Sequence, residues 1–408
     1  MTPLPVKLAP AWFRSRSFLL GFVAGAALLS WLGWRASRWD YHPDFTRFQR
    51  EISPEGSYYP TIAEMGTIAR ARCRADQVLV IVGGNSIFYG VGQPVDQVWT
   101  RRLQALLGDR YAVVNLAFPG ASASDGGALA AETLWREFPR QIYVANVGSM
   151  VCLDPTGSDP YRFLFWEAYY KGRLLPYPAR SDYLKAVFER RWSDLAPMVD
   201  VIGKVELDRI LHFDDLWNYI AVDRLNTVPS MFHPDFPGVW TPRGRFADEE
   251  RDFRDIPFGE RYRESAFAIE MQIVRGATEP YYVRGTDGRW QFTERTRQYF
   301  DSMDRAAMPE VLRRRTLIVV SQNSPYYVDR LTPAERARDE AGYRDSLTVW
   351  RDAGYAAMTY PPGLTVDDYG DRTHLTVPGS EKLAASVAAE ISGLAGRLGY
   401  FTAATAKP

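Results

Sequence analysis

Three side chains in this chain have the types and settings that acyl-transfer chemistry needs: Ser86, Asp371 and His374. A serine hydroxyl is a poor nucleophile until an imidazole takes its proton, and the imidazole acts best when a carboxylate fixes its orientation. Asp371 stands three residues before His374, close enough to fold back on the ring within one loop. There are only four histidines, His42, His212, His233 and His374. Each half also has a plainer reading. Gly83-Gly84-Asn85-Ser86 has the composition of an ordinary turn, and Asp371-Arg372-Thr373-His374 that of a solvated loop. The informative feature is their conjunction at matching places in the pattern of elements.

Val78-Leu79-Val80-Ile81-Val82 is an apolar run stopped by Gly83 and Gly84, the signature of a buried parallel strand. Ser86 then falls at the carboxyl end of a strand, where open α/β sheets bind ligands. A helix is expected over 95–107, a strand over 111–116, a helix over 128–137 and a strand over 141–147. The alternation stops over 155–314. There, helices are expected at 166–171, 182–192, 261–275 and 294–308, with an irregular stretch over 226–259 rich in Pro, Gly and Asp. It resumes with a strand at 316–320 and a helix from the capping box Thr332-Pro333-Ala334-Glu335 to about Asp352. A short strand at 356–360 and a last helix over 378–398 complete it, with His374 between them. The class is therefore α/β, a three-layer parallel sheet with a large, mainly helical insertion.

Residues 17–34 carry no charge and would span about 27 Å as a helix, close to a bilayer's hydrocarbon thickness. Lys7, Arg14 and Arg16 precede the run, favouring a cytoplasmic amino terminus, and Trp31 and Trp34 suit the far interface. The tryptophans fit a retained anchor better than a cleaved signal peptide. The expected organisation is a cytoplasmic segment (1–16), an anchor (17–34), a membrane-proximal connector (35–75), the sheet domain (76–154 and 315–400) and the insertion (155–314). Forty-nine basic and 49 acidic side chains give no net charge, which argues against a nucleic-acid surface. Cys73 and Cys152 fall at opposite ends of a parallel sheet, too far apart for a disulfide, and no metal-type spacing is present.

With these residues in place, the chain resembles the SGNH/GDSL hydrolases over 76–150 and 316–395. Gly84-Asn85-Ser86 with Gly90, Gly92 and Trp99 matches the first block, and Asn115 to Gly120 the second. Asp371-Arg-Thr-His374-Leu-Thr-Val-Pro-Gly379 matches the last. The resemblance implies a flavodoxin-like sheet, Ser86 as nucleophile, His374 as general base and Asp371 as its orienter. It also implies an oxyanion hole from the backbone N–H groups of Ser86 and Gly120. The third block departs: the family's Gly-x-Asn-Asp is replaced by Gly148-Ser149-Met150-Val151, and methionine donates no hydrogen bond. Asn146 is the nearby candidate for a third donor.

The anchor and the degenerate third block resemble the SGNH proteins of cell-surface polymer acylation, namely alginate acetylation and teichoic acid D-alanylation. That implies an esterase or O-acyltransferase on the periplasmic or extracellular side, acting on surface glycans through an acyl-serine. A membrane-bound O-acyltransferase would be a partner, and no cofactor or metal is implied. A weak scaffold that binds polysaccharide or that acyltransferase is the alternative, and a lipase or small-ester esterase the third. Other groups admit bland readings: His233 in a loop, His212 beside Asp214 and Asp215 at a helix end, and the aromatics of 161–170 as packing. Asp367 and Asp368 compete with Asp371 as orienter, but the three-residue spacing favours Asp371.

Overall fold

The computed structural model describes residues 16–39, 45–48, 51–53, 56–57, 61–119, 123, 126–148, 185, 188–190, 211–220, 227–228, 241–242, 252–262, 264–276, 282–288, 290–294 and 310–401. Five parallel strands make the central sheet: β1 (Val78–Gly83), β2 (Tyr111–Asn115), β3 (Gln141–Val147), β4 (Thr316–Val320) and β5 (Ala356–Thr359). Their order is β2-β1-β3-β4-β5, the flavodoxin-like arrangement, with every neighbouring pair parallel. β1, β3 and β4 are buried along their whole length, as strands covered on both faces must be.

Strand alternation sends two sets of side chains to two cores. Leu79, Ile81, Tyr143, Ala145 and Ile318 face one layer of helices: α2 (Ile62–Arg72), α4 (Gly126–Leu134) and α6 (Pro333–Asp352). Val78, Val80, Val82, Ile142, Val144 and Val319 face the other: α3 (Trp99–Leu107) and α7 (Val377–Arg397). α3 and α7 also pack on each other. Ser86 follows the central strand β1, whereas His374 follows the edge strand β5. The β5–α7 connection must therefore run back across the carboxyl edge of the sheet to start α7 beside α3. That return path brings His374 to Ser86.

The α6 capping box forms as expected, and the last helix runs within a residue of its expected limits. The expected helix over 95–107 starts only at Trp99, because Val95 to Gln97 form a turn. The expected connector needs correction. Within it, Thr61 and Glu64 make a reciprocal cap, and α2 buries Met65, Ile68 and Ala69 against the sheet layer and α4. The apolar positions recur at helical spacing after a capping box, a signal strong enough to assign the helix to the sheet domain.

In the insertion, α5 (Glu264–Gly276) forms near the expected 261–275. The 226–259 stretch holds a two-residue antiparallel pairing, Thr227–Val228 with Thr241–Pro242, and a 3-10 turn, Phe253–Asp255. The helices expected at 166–171, 182–192 and 294–308 lie largely or wholly outside the described residues. Met65→Ala should lower unfolding stability by about 2–5 kcal/mol in denaturant titration, as for other buried methionines. A change near zero would return residues 62–72 to a linker role.

Candidate active site

Gly84 turns the chain out of β1 with φ at +98°, and an added Cβ there would lie 2.3 Å from Asn146 Oδ1. Backbone conformation and crowding together restrict this position to glycine. Asn85 then caps a single helical turn, Ser86–Tyr89, by accepting the Ile87 N–H on its side-chain oxygen (3.0 Å). Ser86 is thereby the first residue of a turn whose leading amide points outward. No acceptor for the Ser86 N–H exists among the described residues.

The carbonyls at the end of this turn are satisfied from the side. Trp99 Nε1 donates to the Phe88 carbonyl (2.8 Å), and Asn115 Nδ2 to the same oxygen (3.2 Å). Arg47 donates to the carbonyls of Gly90 (2.6 Å) and Gln93 (2.7 Å). Gln93, itself buried, reaches across to the Leu375 carbonyl (3.1 Å), next to His374. Buried polar groups need such partners, and here each partner also fixes the loop that presents Ser86.

The other half of the site is a closed loop. Tyr369 and Leu375 pair as an isolated antiparallel bridge, and Gly370 N–H donates to the His374 carbonyl (2.9 Å). Asp371 Oδ1 accepts the backbone N–H groups of Thr373 and His374 (both 2.8 Å). Asp371 Oδ2 lies 2.7 Å from His374 Nδ1, and His374 Nε2 lies 2.7 Å from Ser86 Oγ. Burial pushes the Asp371 carboxyl up, but the His374 charge, its hydrogen bond and the two backbone N–H groups outweigh it and hold the group at about 2. A carboxylate only accepts, so Nδ1 carries a proton, and in the tautomer with no proton on Nε2 that nitrogen accepts from the Ser86 hydroxyl. This arrangement allows proton removal from Ser86 with charge stabilisation behind the ring.

Asp368 is not a competing orienter. Its buried carboxylate accepts the Thr365 N–H and Lys382 Nζ (both 2.7 Å), which pins the start of α7. Asp367 offers its carbonyl to the Thr376 hydroxyl (2.9 Å).

Asn146, the candidate third oxyanion donor, is engaged elsewhere. Its Nδ2 donates to Asn85 Oδ1 (2.7 Å) and Ser321 Oγ (3.3 Å), and its Oδ1 accepts the Asn85 N–H (3.1 Å). With 1% of its surface exposed and both amide hydrogens occupied, it braces the Ser86 turn instead of facing an incoming ligand. Gly120, Ser149 and Met150 lie outside the described residues.

Residues of the insertion contact this loop. Arg372 pairs with Glu270 of α5 and donates to Asn323 Oδ1 (3.0 Å) after β4. The Tyr262 hydroxyl lies 3.4 Å from the Asp371 carbonyl and 3.2 Å from Ser324 Oγ. Burial pushes this hydroxyl up to about 12, so it stays protonated and able to donate. Nothing in the local sequence marks these residues, because their partners are supplied by distant elements.

His212 Nδ1 contacts Asp215 Oδ2 (2.8 Å), and Asp215 Oδ1 accepts the Thr61 hydroxyl (2.6 Å), a tie between helix ends. Cys73 is a buried free thiol, pushed up to about 11 by burial. His42, His233, Cys152 and the aromatics of 161–170 lie outside the described residues. Among the described residues, no group of three or more His, Cys, Asp or Glu side chains is arranged to hold a metal.

No family model and no curated protein matches the chain. Among solved structures it is similar to Est24, a carbohydrate acetylesterase from Sinorhizobium meliloti, at 12% identity and a TM-score of 0.30. The match covers 78% of this chain and 100% of that one, a likeness too slight to bear on activity.

The depressed Asp371 carboxyl sets a pH signature. Its value of about 2 lies below the ordinary 3.8, so its stabilising contribution is complete above the unfolded value and lost as pH falls through the folded one. Unfolding stability should decline from roughly pH 4 to pH 2, and Asp371→Asn should flatten that decline. Superimposable acid-unfolding profiles for the two proteins would contradict the assignment.

Proposed function

We propose that the chain is a membrane-anchored serine esterase or O-acyltransferase that works through an acyl-Ser86 intermediate on cell-surface glycans. The observation that carries this reading is the continuous hydrogen-bond chain from Asp371 through His374 to Ser86. In the first half-reaction, Ser86 Oγ bonds to the acyl carbon while its proton passes to His374 Nε2. The negative charge on the former carbonyl oxygen is met by the Ser86 N–H and, by resemblance, the Gly120 N–H. Collapse releases the leaving alkoxide, which takes the proton from His374. In the second, His374 deprotonates water or a glycan hydroxyl. That oxygen attacks the acyl carbon, and Ser86 leaves with the proton restored. Replacing Ser86 with Ala should lower turnover of an O-acetylated polysaccharide by about 10³-fold or more while leaving folding intact. An unchanged rate would sink the mechanism, and faster turnover of long-chain acyl esters without any partner would favour a lipase.

The scaffold reading draws on Asn146. Loss of one oxyanion donor costs about 10²–10³ in rate, and Asn146 is committed to the Ser86 turn. Polysaccharide binding by the full chain with no acyl turnover would support it.

The anchor reading rests on α1 (Arg16–Ala36), a helix long and apolar enough to cross a membrane. It exposes Leu19, Leu20, Phe22, Val23, Leu28 and Leu29 along its length. Its carboxyl end is different: Ala36 is buried, the Ser37 carbonyl accepts the Thr67 hydroxyl of α2 (2.7 Å), and Trp39 packs edge-on against Tyr219. Cleavage at the end of α1 would remove Ala36 from this packed junction and leave Ser37 and Trp39 at a new amino terminus, which favours a retained anchor. The mature protein should keep residues 17–36 and stay with membranes through carbonate extraction. Release of a shortened chain into the soluble fraction would point to a signal peptide.

A further inference from the structure

Phe253 belongs to the insertion, yet its ring packs against the two loops that carry the reacting groups. It packs against Gly92, in the loop after Ser86, and against Gly370, in the loop that ends at His374. A Cβ added at Gly92 would lie 2.1 Å from the Phe253 ring, and one at Gly370 1.7 Å from it. Only two bare backbones leave this slot wide enough for an aromatic ring. The Phe253 N–H donates to the Gly92 carbonyl (3.1 Å), and the ring meets His374 edge-on with centroids 6.4 Å apart.

The segment is held stiffly. Asp252 is buried and its Oδ1 accepts the Arg254 N–H (2.8 Å), while its Oδ2 takes the Arg254 guanidinium. Arg254 also donates to Gln97 Oε1 (2.7 Å), in the Ser86 half of the site. Asp252 and Arg254 thus clamp Phe253 from both sides of its own chain.

We propose that Phe253 is a positioning residue that fixes the His374 ring toward Ser86, so that the insertion completes the active site. Asp371 and Ser86 engage the His374 ring at Nδ1 and Nε2, and the Phe253 ring adds an edge-on contact to the ring itself. Packed against both loops, it holds the ring plane in the orientation that aims Nε2 at Ser86. The inference rests on the acyl-serine reading for its consequence in rate, but its geometric content stands apart from any chemistry.

The test compares full-length wild type, Phe253→Ala and Phe253→Tyr in detergent. One readout is the downfield proton resonance of His374 Nδ1–H, assigned by its absence in His374→Ala. The other is the rate of Ser86 labelling by a fluorophosphonate. Phe253→Ala should broaden or abolish the downfield signal and slow labelling at least tenfold, with melting behaviour close to wild type. Phe253→Tyr, which keeps the flat ring, should restore both. A downfield signal of wild-type sharpness in Phe253→Ala overturns the proposal whatever the labelling does. Loss of the signal in Phe253→Ala, in a protein whose wild type never labels, upholds the positioning role and rejects the acyl-serine reading instead.

Discussion

The 2.7 Å contact between Ser86 Oγ and His374 Nε2 joins groups 288 residues apart in sequence, and the sheet domain fixes both of its ends. One end follows the central strand β1 and the other follows the edge strand β5. A loop of ordinary length cannot bridge that offset while hugging the sheet unless the helix after it packs next to the helix after Ser86. The contact of α7 with α3 meets that condition. The buried Val, Leu and Ile faces of both elements supply the driving force, while the polar contacts set the position of the loops.

Those polar contacts share a pattern. Gln93, Asn115, Asn146 and Asp368 are buried, and each spends its hydrogen-bonding capacity on backbone or side chains of a loop at the carboxyl edge. An unsatisfied buried amide costs more than a hydrogen bond returns, so each such residue strongly favours one loop conformation. The site is rigid on its sheet side for this reason. On the opposite side it depends on the insertion, through Arg372 with Glu270, Tyr262 with Asp371 and Phe253 with His374.

The sheet and the two ends of the hydrogen-bond chain were legible in the sequence because their signals are local. Apolar runs marked β1 and β4, the strand–helix alternation marked β3, a capping box marked α6, and a three-residue spacing joined Asp371 to His374. Helix α2 carried the same kind of signal at Thr61 and Glu64, hidden by its place between an apolar anchor and the first strand. The place of Asn146 was open for a different reason. A strand residue's side-chain face is evident from alternation, but its partner is not, and the partner here is Asn85 on a neighbouring strand's exit. Phe253 and Arg372 were illegible altogether, since their roles come from pairings more than a hundred residues apart that no periodicity encodes.

The proposed acyl transfer requires a serine within hydrogen-bond distance of an imidazole at the open edge of the sheet, the arrangement that Ser86 and His374 adopt. The most direct measurement is peptide-resolved mass spectrometry of the full-length protein, quenched in acid after brief exposure to an activated acetyl ester. The account requires a single acetyl group on the peptide that contains Ser86, lost in Ser86→Ala. A folded protein with no acetyl group, or with one that survives in Ser86→Ala, would contradict it.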